Sequence, residues 1–321
     1  MKHIKKIVFL LSSFVLFHFY SKAQKEDYLP VDKKVQNLGS LDSFNVAIIA
    51  DTITRPFAEK EQKARAIYYW ISHNIKLDLK ASKSNDNKNN DPVIVVKTRK
   101  ATPLGYAMLF QEMSSMANIR CLIVEGYIKN NTEDINNIPD EVNHAWNVVQ
   151  LGQSPEQWFY VDAMKASGYA DKKMSAFTQQ FTSQYFFANK TLFNLDHYPN
   201  NSAWLLGPGA KGLKEFYALP VIANAAYIYD LKTINPTIGF IKTNLKKVVQ
   251  FRYGMGSDST ITSVDMVIGD NKKSQKTEPM NFDVTGGKLV FDFQFKKEDS
   301  FPIRIFVNGK DFLQYNVEVI E

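Results

Sequence analysis

Three short stretches constrain this chain more than any others. They are a helix start at Thr102-Pro103-Leu104-Gly105, a strand beginning at Asn143-His144-Ala145-Trp146-Asn147, and a strand Trp158-Phe159-Tyr160-Val161 that runs into Asp162. Thr102 has the side chain of an N-cap, whose hydroxyl accepts a bond from a free backbone N–H. Pro103 falls at the first helical position, where its missing N–H costs nothing. Tyr106, Phe110, Met113 and Ala117 then recur at helical spacing, so one face is buried and Asn118 ends the helix. Arg120 to Tyr127 reads as a strand, with Cys121 and Ile123 on one side and Leu122, Val124 and Gly126 on the other. Asn131 to Glu141 is a polar loop, and Gly152 to Gln157 is a turn between the histidine strand and the aspartate strand.

Upstream, Ala64, Ile67, Tyr68, Ile71 and Ile75 mark one face of an amphipathic helix over Glu59 to Ile75, with Glu59 and Glu61 where the helix dipole favours acids. Asp42 to Ile53 is open between a short helix and an extended lead-in. The wording Lys63-Ala64-Arg65-Ala66-Ile67-Tyr68-Tyr69-Trp70-Ile71, the run Gly105-Tyr106-Ala107-x-Leu109-Phe110 and the run Asn143–Asn147 together resemble the transglutaminase-like superfamily, including its kyphoscoliosis-peptidase-like branch. Tyr185-Phe186-Phe187, Asp196-His197-Tyr198-Pro199 and Trp204-Leu205-Leu206 resemble the end of such domains. The resemblance implies a papain-like core over about residues 40–225, with His144 as general base and Asp162 as its orienting carboxylate.

One part departs from the family pattern. The Gly-Val-Cys that opens the catalytic helix is replaced by Ala101-Thr102-Pro103, so Pro103 stands where the family has its nucleophilic cysteine. A helix N-terminus and a nearby imidazole activate a thiol, and proline offers nothing to activate. Among substitutes, Thr102 is better used as a cap and Cys121 sits in a predicted buried strand. Ser114 and Ser115 lie too far down the helix. The stretch after Asp162, Ala163-Met164-Lys165-Ala166-Ser167-Gly168, also departs from the family's continuation.

The leading expectation is therefore an inactive homologue that binds a peptide, protein or cell-wall ligand in a cleft lined by His144, Trp146 and Asp162, with Asn143 and Tyr106 as further binding residues. The alternatives are an active cysteine-type peptidase or acyltransferase with a displaced nucleophile, and an assembly protein working through its C-terminal part. His144 and Asp162 can also be kept only to satisfy each other. His197 reads as a structural loop residue. No further His or Cys is spaced to complete a metal-ligand set, so neither a metal nor another cofactor is expected.

Residues 231–321 alternate with a period of two. Leu289, Phe291, Phe293 and Phe295 share a face, as do Ile303, Ile305 and Val307, and Leu313, Tyr315, Val317 and Val319. Turns fall at Gly254-Met255-Gly256, Asp270-Asn271, Gly286-Gly287 and Asn308-Gly309. Such spacing predicts about seven strands in an antiparallel, immunoglobulin-like sandwich. The fold class expected is α+β: a papain-like transglutaminase core in residues 24–230, then a β-sandwich in 231–321.

Residues 1–23 read as a signal peptide: Lys2, Lys5 and Lys6, an apolar run from Ile7 to Tyr20, and Ser21-Lys22-Ala23 at cleavage spacing. Export to the periplasm or outside the cell is expected, with no stable membrane span after cleavage; the alternative is that the segment is kept as an N-terminal anchor. The formal charge of +6 includes four lysines in that segment, leaving about +2 (6 − 4) and no nucleic-acid footprint. With Cys121 as the single cysteine, no intramolecular disulfide forms, and oligomeric state is left open.

Overall fold

The computed structural model describes residues 27–84, 86–256, 260–269 and 275–321; the expected signal segment and the Asp270-Asn271 turn lie outside them. Helix α3 (Lys60–Asn74) is the one read from periodicity, and Ala64, Ile67, Tyr68, Ile71 and Ile75 are all fully buried. Burying each of the three isoleucine side chains stabilises by roughly 1.5–3 kcal/mol. Helices α1 (Leu29–Gln36) and α2 (Val46–Thr54) lie against it. The open segment at Asp42–Ile53 resolves as a helix because Asn45 caps it, its side chain accepting from the Ile48 amide. Arg65 of α3 forks onto Asp32 of α1 through Nε and Nη2 at 2.8 and 2.7 Å.

Strands β1 (Lys76–Leu77) and β2 (Lys100–Ala101) form a short parallel pair, with helices α4 (Leu79–Lys83) and α5 (Pro92–Thr98) between them. Helix α6 (Pro103–Met116) follows and packs on the central sheet. That sheet is antiparallel in the order β5-β4-β3-β8, formed by β3 (Arg120–Ile128), β4 (His144–Gln150), β5 (Trp158–Val161) and β8 (His197–Pro199). Helix α7 (Ala163–Ser167), the hairpin β6 (Gly168–Ala170) and β7 (Phe177–Gln179), and helix α8 (Lys190–Asp196) connect β5 to β8. A helix on an antiparallel sheet is the papain-like arrangement.

Two contacts orient α6 on the sheet. Gln111 Nε2 donates to the Cys121 carbonyl and Asn147 Nδ2 to the Ala107 carbonyl, both at 3.0 Å. Cys121 pairs with Val149, so moving back along α6 from Gln111 to Ala107 means moving along β4 from Val149 to Asn147. The start of α6 therefore points toward the His144 end of β4.

Helix α9 (Leu213–Ala218) precedes β9 (Val221–Ile222) and α10 (Asn224–Ile228). Strand β9 pairs with the last strand, β18 (Lys310–Ile320), across the expected junction at 231. One sheet runs β10 (Thr233–Asn235), β12 (Val249–Gly254), β16 (Lys288–Phe293), β15 (Phe282–Thr285). The other runs β11 (Phe240–Asn244), β18, β17 (Asp299–Val307), β13 (Val264–Ile268), β14 (Lys276–Pro279). Most pairs are antiparallel, but β11 joins β18 in parallel. The sheets face each other across Phe251, Tyr253, Ile305 and Tyr315, and the Tyr253 and Tyr315 hydroxyls meet at 3.2 Å. The core is continuous with that of the first unit, and Asn316 of β18 donates to the Thr132 carbonyl at 2.7 Å.

Candidate functional site

Asp162 is held by its surroundings before it meets any histidine. Its N–H donates to the Tyr185 carbonyl at 3.0 Å, and its Oδ1 accepts from the Lys165 amide at 2.8 Å, capping α7. Its other oxygen, Oδ2, faces His144 Nε2 at 2.5 Å and His197 Nε2 at 3.1 Å. All three residues are buried. Burial alone raises the Asp162 carboxyl, but His144 and then His197 outweigh it and hold the group well below the usual carboxylate range. Burial lowers the His197 imidazole from its ordinary value, against the opposing pull of Asp196 and Asp162. With Asp162 ionised, both histidines donate through Nε2, and both Nδ1 atoms are left buried without a hydrogen-bond partner.

Sheet register explains why the rings meet. Gly126 of β3 stands opposite His144 on one side and Pro199 on the other, and Ile128 stands opposite His197. Directly paired residues share a face, as do residues two apart, so His144, Trp146 and His197 project together over β3. Gly126 leaves the room: a Cβ there would stand 2.6 Å from the Trp146 ring and 2.3 Å from the Tyr198 carbonyl oxygen. Trp146 lies 6.2 Å from the His144 ring and 5.2 Å from the His197 ring, and Phe193 stacks on His197 at 3.8 Å.

Behind His197 sits a second buried carboxylate, Asp196. Its Oδ2 lies 3.5 Å from His197 Nδ1 and 3.7 Å from Lys165 Nζ, and accepts from Tyr185 and Tyr227 at 3.3 Å each. Its Oδ1 is buried without a partner.

Pro103 occupies the first turn of α6, half-buried. Beside it, the Thr102 hydroxyl accepts from the Gly105 amide at 3.4 Å and lies 2.9 Å from Asn90 Oδ1. It serves the cap and the Asn90 loop. Cys121 is buried, and burial pushes its thiol up to about 12, with the Ser114 and Asn147 side chains pulling weakly the other way.

These residues match a known family. Residues 48–163 fit the core model described as the transglutaminase-like superfamily. They are a transglutaminase-like domain. Kyphoscoliosis peptidase of Mus musculus is 30% identical over 197 residues, covering 61% of this chain and 29% of the relative. The Homo sapiens protein of the same name gives the same identity and coverage. The Lim and transglutaminase domain protein ltd-1 of Caenorhabditis elegans is 26% identical over 184 residues, covering 54% of this chain and 25% of the relative. The chain thus spans under a third of the length of these curated relatives.

The polar groups of the other expected residues of the transglutaminase-like domain are engaged within the protein or buried. The Tyr106 hydroxyl donates to the Ile75 carbonyl at 2.7 Å inside the core. Trp146 is 1% exposed. The exposed Asn143 spends its amide on the Ile128 backbone, accepting from N–H at 2.9 Å and donating to C=O at 3.0 Å. Trp146 Nε1 is buried without a hydrogen-bond partner, and His144, Trp146 and Asp162 are all buried. An open cavity of about 410 Å3 lies instead beside the start of α6, lined by Asp78, Asp86, Asn89, Asn90, Lys100 and Thr102 among others. His197, expected as a loop residue, joins the His144–Asp162 pair. No spacing in the sequence brings a further histidine to the pair, and β8 delivers His197 across β3, so three potential ligand groups lie together.

Proposed function

We propose that this chain is an exported transglutaminase-like protein that binds a peptide, protein or cell-wall ligand without transferring its acyl groups. One observation carries the reading: the first turn of the α6 helix holds Pro103, while the single thiol, Cys121, is buried in β3. Thiol acyl transfer needs a thiolate at the helix start, within reach of the imidazole that takes its proton. Here the imidazole and its carboxylate have no such partner. Burial pushes the Cys121 thiol up to about 12, which keeps it protonated at neutral pH. Export rests on the basic start and the apolar run Ile7–Tyr20.

The cavity beside α6 is the ligand seat in this reading. Its carboxylate and amide oxygens favour a ligand rich in N–H or ammonium groups, such as a polar peptide segment. The C-terminal unit, which we read as immunoglobulin-like, supports the core through β9 and β18. Turnover tests the proposal. Full-length protein with a glutamine-containing peptide and excess hydroxylamine is expected to form hydroxamate no faster than its His144→Ala variant. Steady turnover that depends on His144 would overturn the reading.

A further inference from the structure

The three-residue cluster around Asp162 Oδ2 has more chemistry than a silent acid–base pair requires. A second histidine has no part in orienting the first. Yet His197 Nε2 is brought to the same oxygen that His144 Nε2 approaches, at 3.1 and 2.5 Å. The three ligand atoms all lie within 4.8 Å of one another. We infer that His144 Nε2, His197 Nε2 and Asp162 Oδ2 form a binding site for a divalent transition metal, zinc by ligand type. Two imidazoles and one carboxylate are a recognised zinc ligand set, with a fourth position left for water.

Three observations carry this. The first is geometry. Zinc bonds of about 2.0–2.2 Å at tetrahedral angles place ligand atoms roughly 3.3–3.5 Å apart. The His197 separation is nearly that already, and the His144 separation has to widen by about 1 Å.

The second observation is the outer layer. Metal-bound histidines almost always donate their other ring N–H to a carboxylate or carbonyl. When His197 Nε2 holds the metal, its proton sits on Nδ1, facing Asp196 Oδ2 at 3.5 Å. Asp196 is itself fixed by Tyr185, Tyr227 and Lys165. Metal-free, both Nδ1 atoms are buried acceptors without a donor. The metal form gives one of them a partner.

The third observation is charge. Asp162 and Asp196 are each 1% exposed. Among the described residues, Asp196 has Lys165 Nζ at 3.7 Å and His197 Nδ1 at 3.5 Å, and the ion-pair partners of Asp162 are the two imidazoles. Buried anions need compensation, and a divalent ion between the imidazoles supplies it.

The inference rests on the reading that His144 no longer serves a thiol. Its test is independent of acyl transfer. Full-length protein stripped by a strong chelator, re-equilibrated with zinc chloride and desalted is expected to retain about one zinc per chain and to melt at a higher temperature than the stripped form. Cobalt substitution is expected to give the intense visible bands of a tetrahedral site. His197→Gln and His144→Gln are expected to lose retention at least tenfold, and Asp196→Asn to weaken affinity about 10–100-fold while leaving the ligands in place. Circular dichroism of the stripped variants establishes that each is folded. Wild-type protein that retains no zinc would overturn the inference. So would zinc retention that His144→Gln and His197→Gln leave unchanged. Absent hydroxamate turnover together with absent zinc would sink the metal site and leave the binding reading standing.

Discussion

Asp32→Ala is expected to destabilise the fold by about 3–5 kcal/mol, the cost of leaving a buried charge unpaired. Arg65 is 1% exposed and puts two nitrogens on the two Asp32 oxygens. Its guanidinium carbon lies 4.8–5.5 Å from the rings of Tyr28, Tyr68, Phe181 and Phe186. Those ring faces attract the cation, but they cannot replace a carboxylate as hydrogen-bond acceptor. Nη1 already lacks a partner, so the guanidinium has no reserve. The loss therefore reaches beyond α1 to the segment around Phe181–Phe186. Urea unfolding measures it as a lower midpoint. Adding Arg65→Met should recover most of the loss, because an apolar chain of similar length removes the stranded charge. A single variant within about 1 kcal/mol of wild type would contradict the burial argument.

Lys129→Met is expected to act in the opposite direction. Lys129 is 2% exposed at the end of β3, and its Nζ donates to the Phe216 carbonyl at 2.9 Å. The same nitrogen sits 3.6 Å from the Phe216 ring centroid. Burial pulls the ammonium down to about 7, against Asp196 and Asp134, which raise it. In the unfolded chain the lysine keeps its proton to the ordinary value of 10.5. Between those values the unfolded state binds more protons, so wild-type stability rises with pH, by at most about 1.4 kcal/mol per unit from this group. The cost of burying the amine is full below about 7 and gone above 10.5. Methionine removes the cost but loses the bond to Phe216. A net gain of about 1–3 kcal/mol is expected at pH 7, shrinking toward pH 10. Denaturation midpoints of both proteins across that range decide the matter. Parallel pH profiles would mean that Lys129 carries no such penalty.

What the sequence makes readable follows from whether a feature is local. Helix α3 is legible because its buried face repeats every third or fourth residue. The Gly286-Gly287 and Asn308-Gly309 turns are legible because both pairs take positive φ, which favours glycine and asparagine. They join β15 to β16 and β17 to β18. Strands β10, β14 and β15 escaped because each lies at a sheet edge and is largely exposed, so no apolar alternation marks it.

The site divides in the same way. His144 begins one strand and Asp162 directly follows the next, the two strands are joined by a short turn, and a sequence pattern connects them. His197 reaches the site through the pairing of β8 with β3, which no local spacing encodes. The Asp196-His197 dipeptide was the available sign, a carboxylate beside an imidazole. Tyr106, Trp146 and Asn143 were expected to meet a ligand because they fall in the runs that resemble the family's site. Periodicity tells which residues share a face, but not whether that face borders solvent or core. Asn143 is the clearest case, since its amide completes a backbone pair with Ile128.

Acyl-probe labelling of the full-length protein, mapped by mass spectrometry, tests most directly whether the domain has lost its nucleophile. Under native conditions Cys121 is expected to stay unmodified in wild type and in His144→Ala alike, and to react fully only after denaturation. Native labelling of Cys121, or of any hydroxyl, that disappears in His144→Ala would contradict this. It would mean that an attacking group still works with that imidazole, and that the nucleophile has moved rather than vanished.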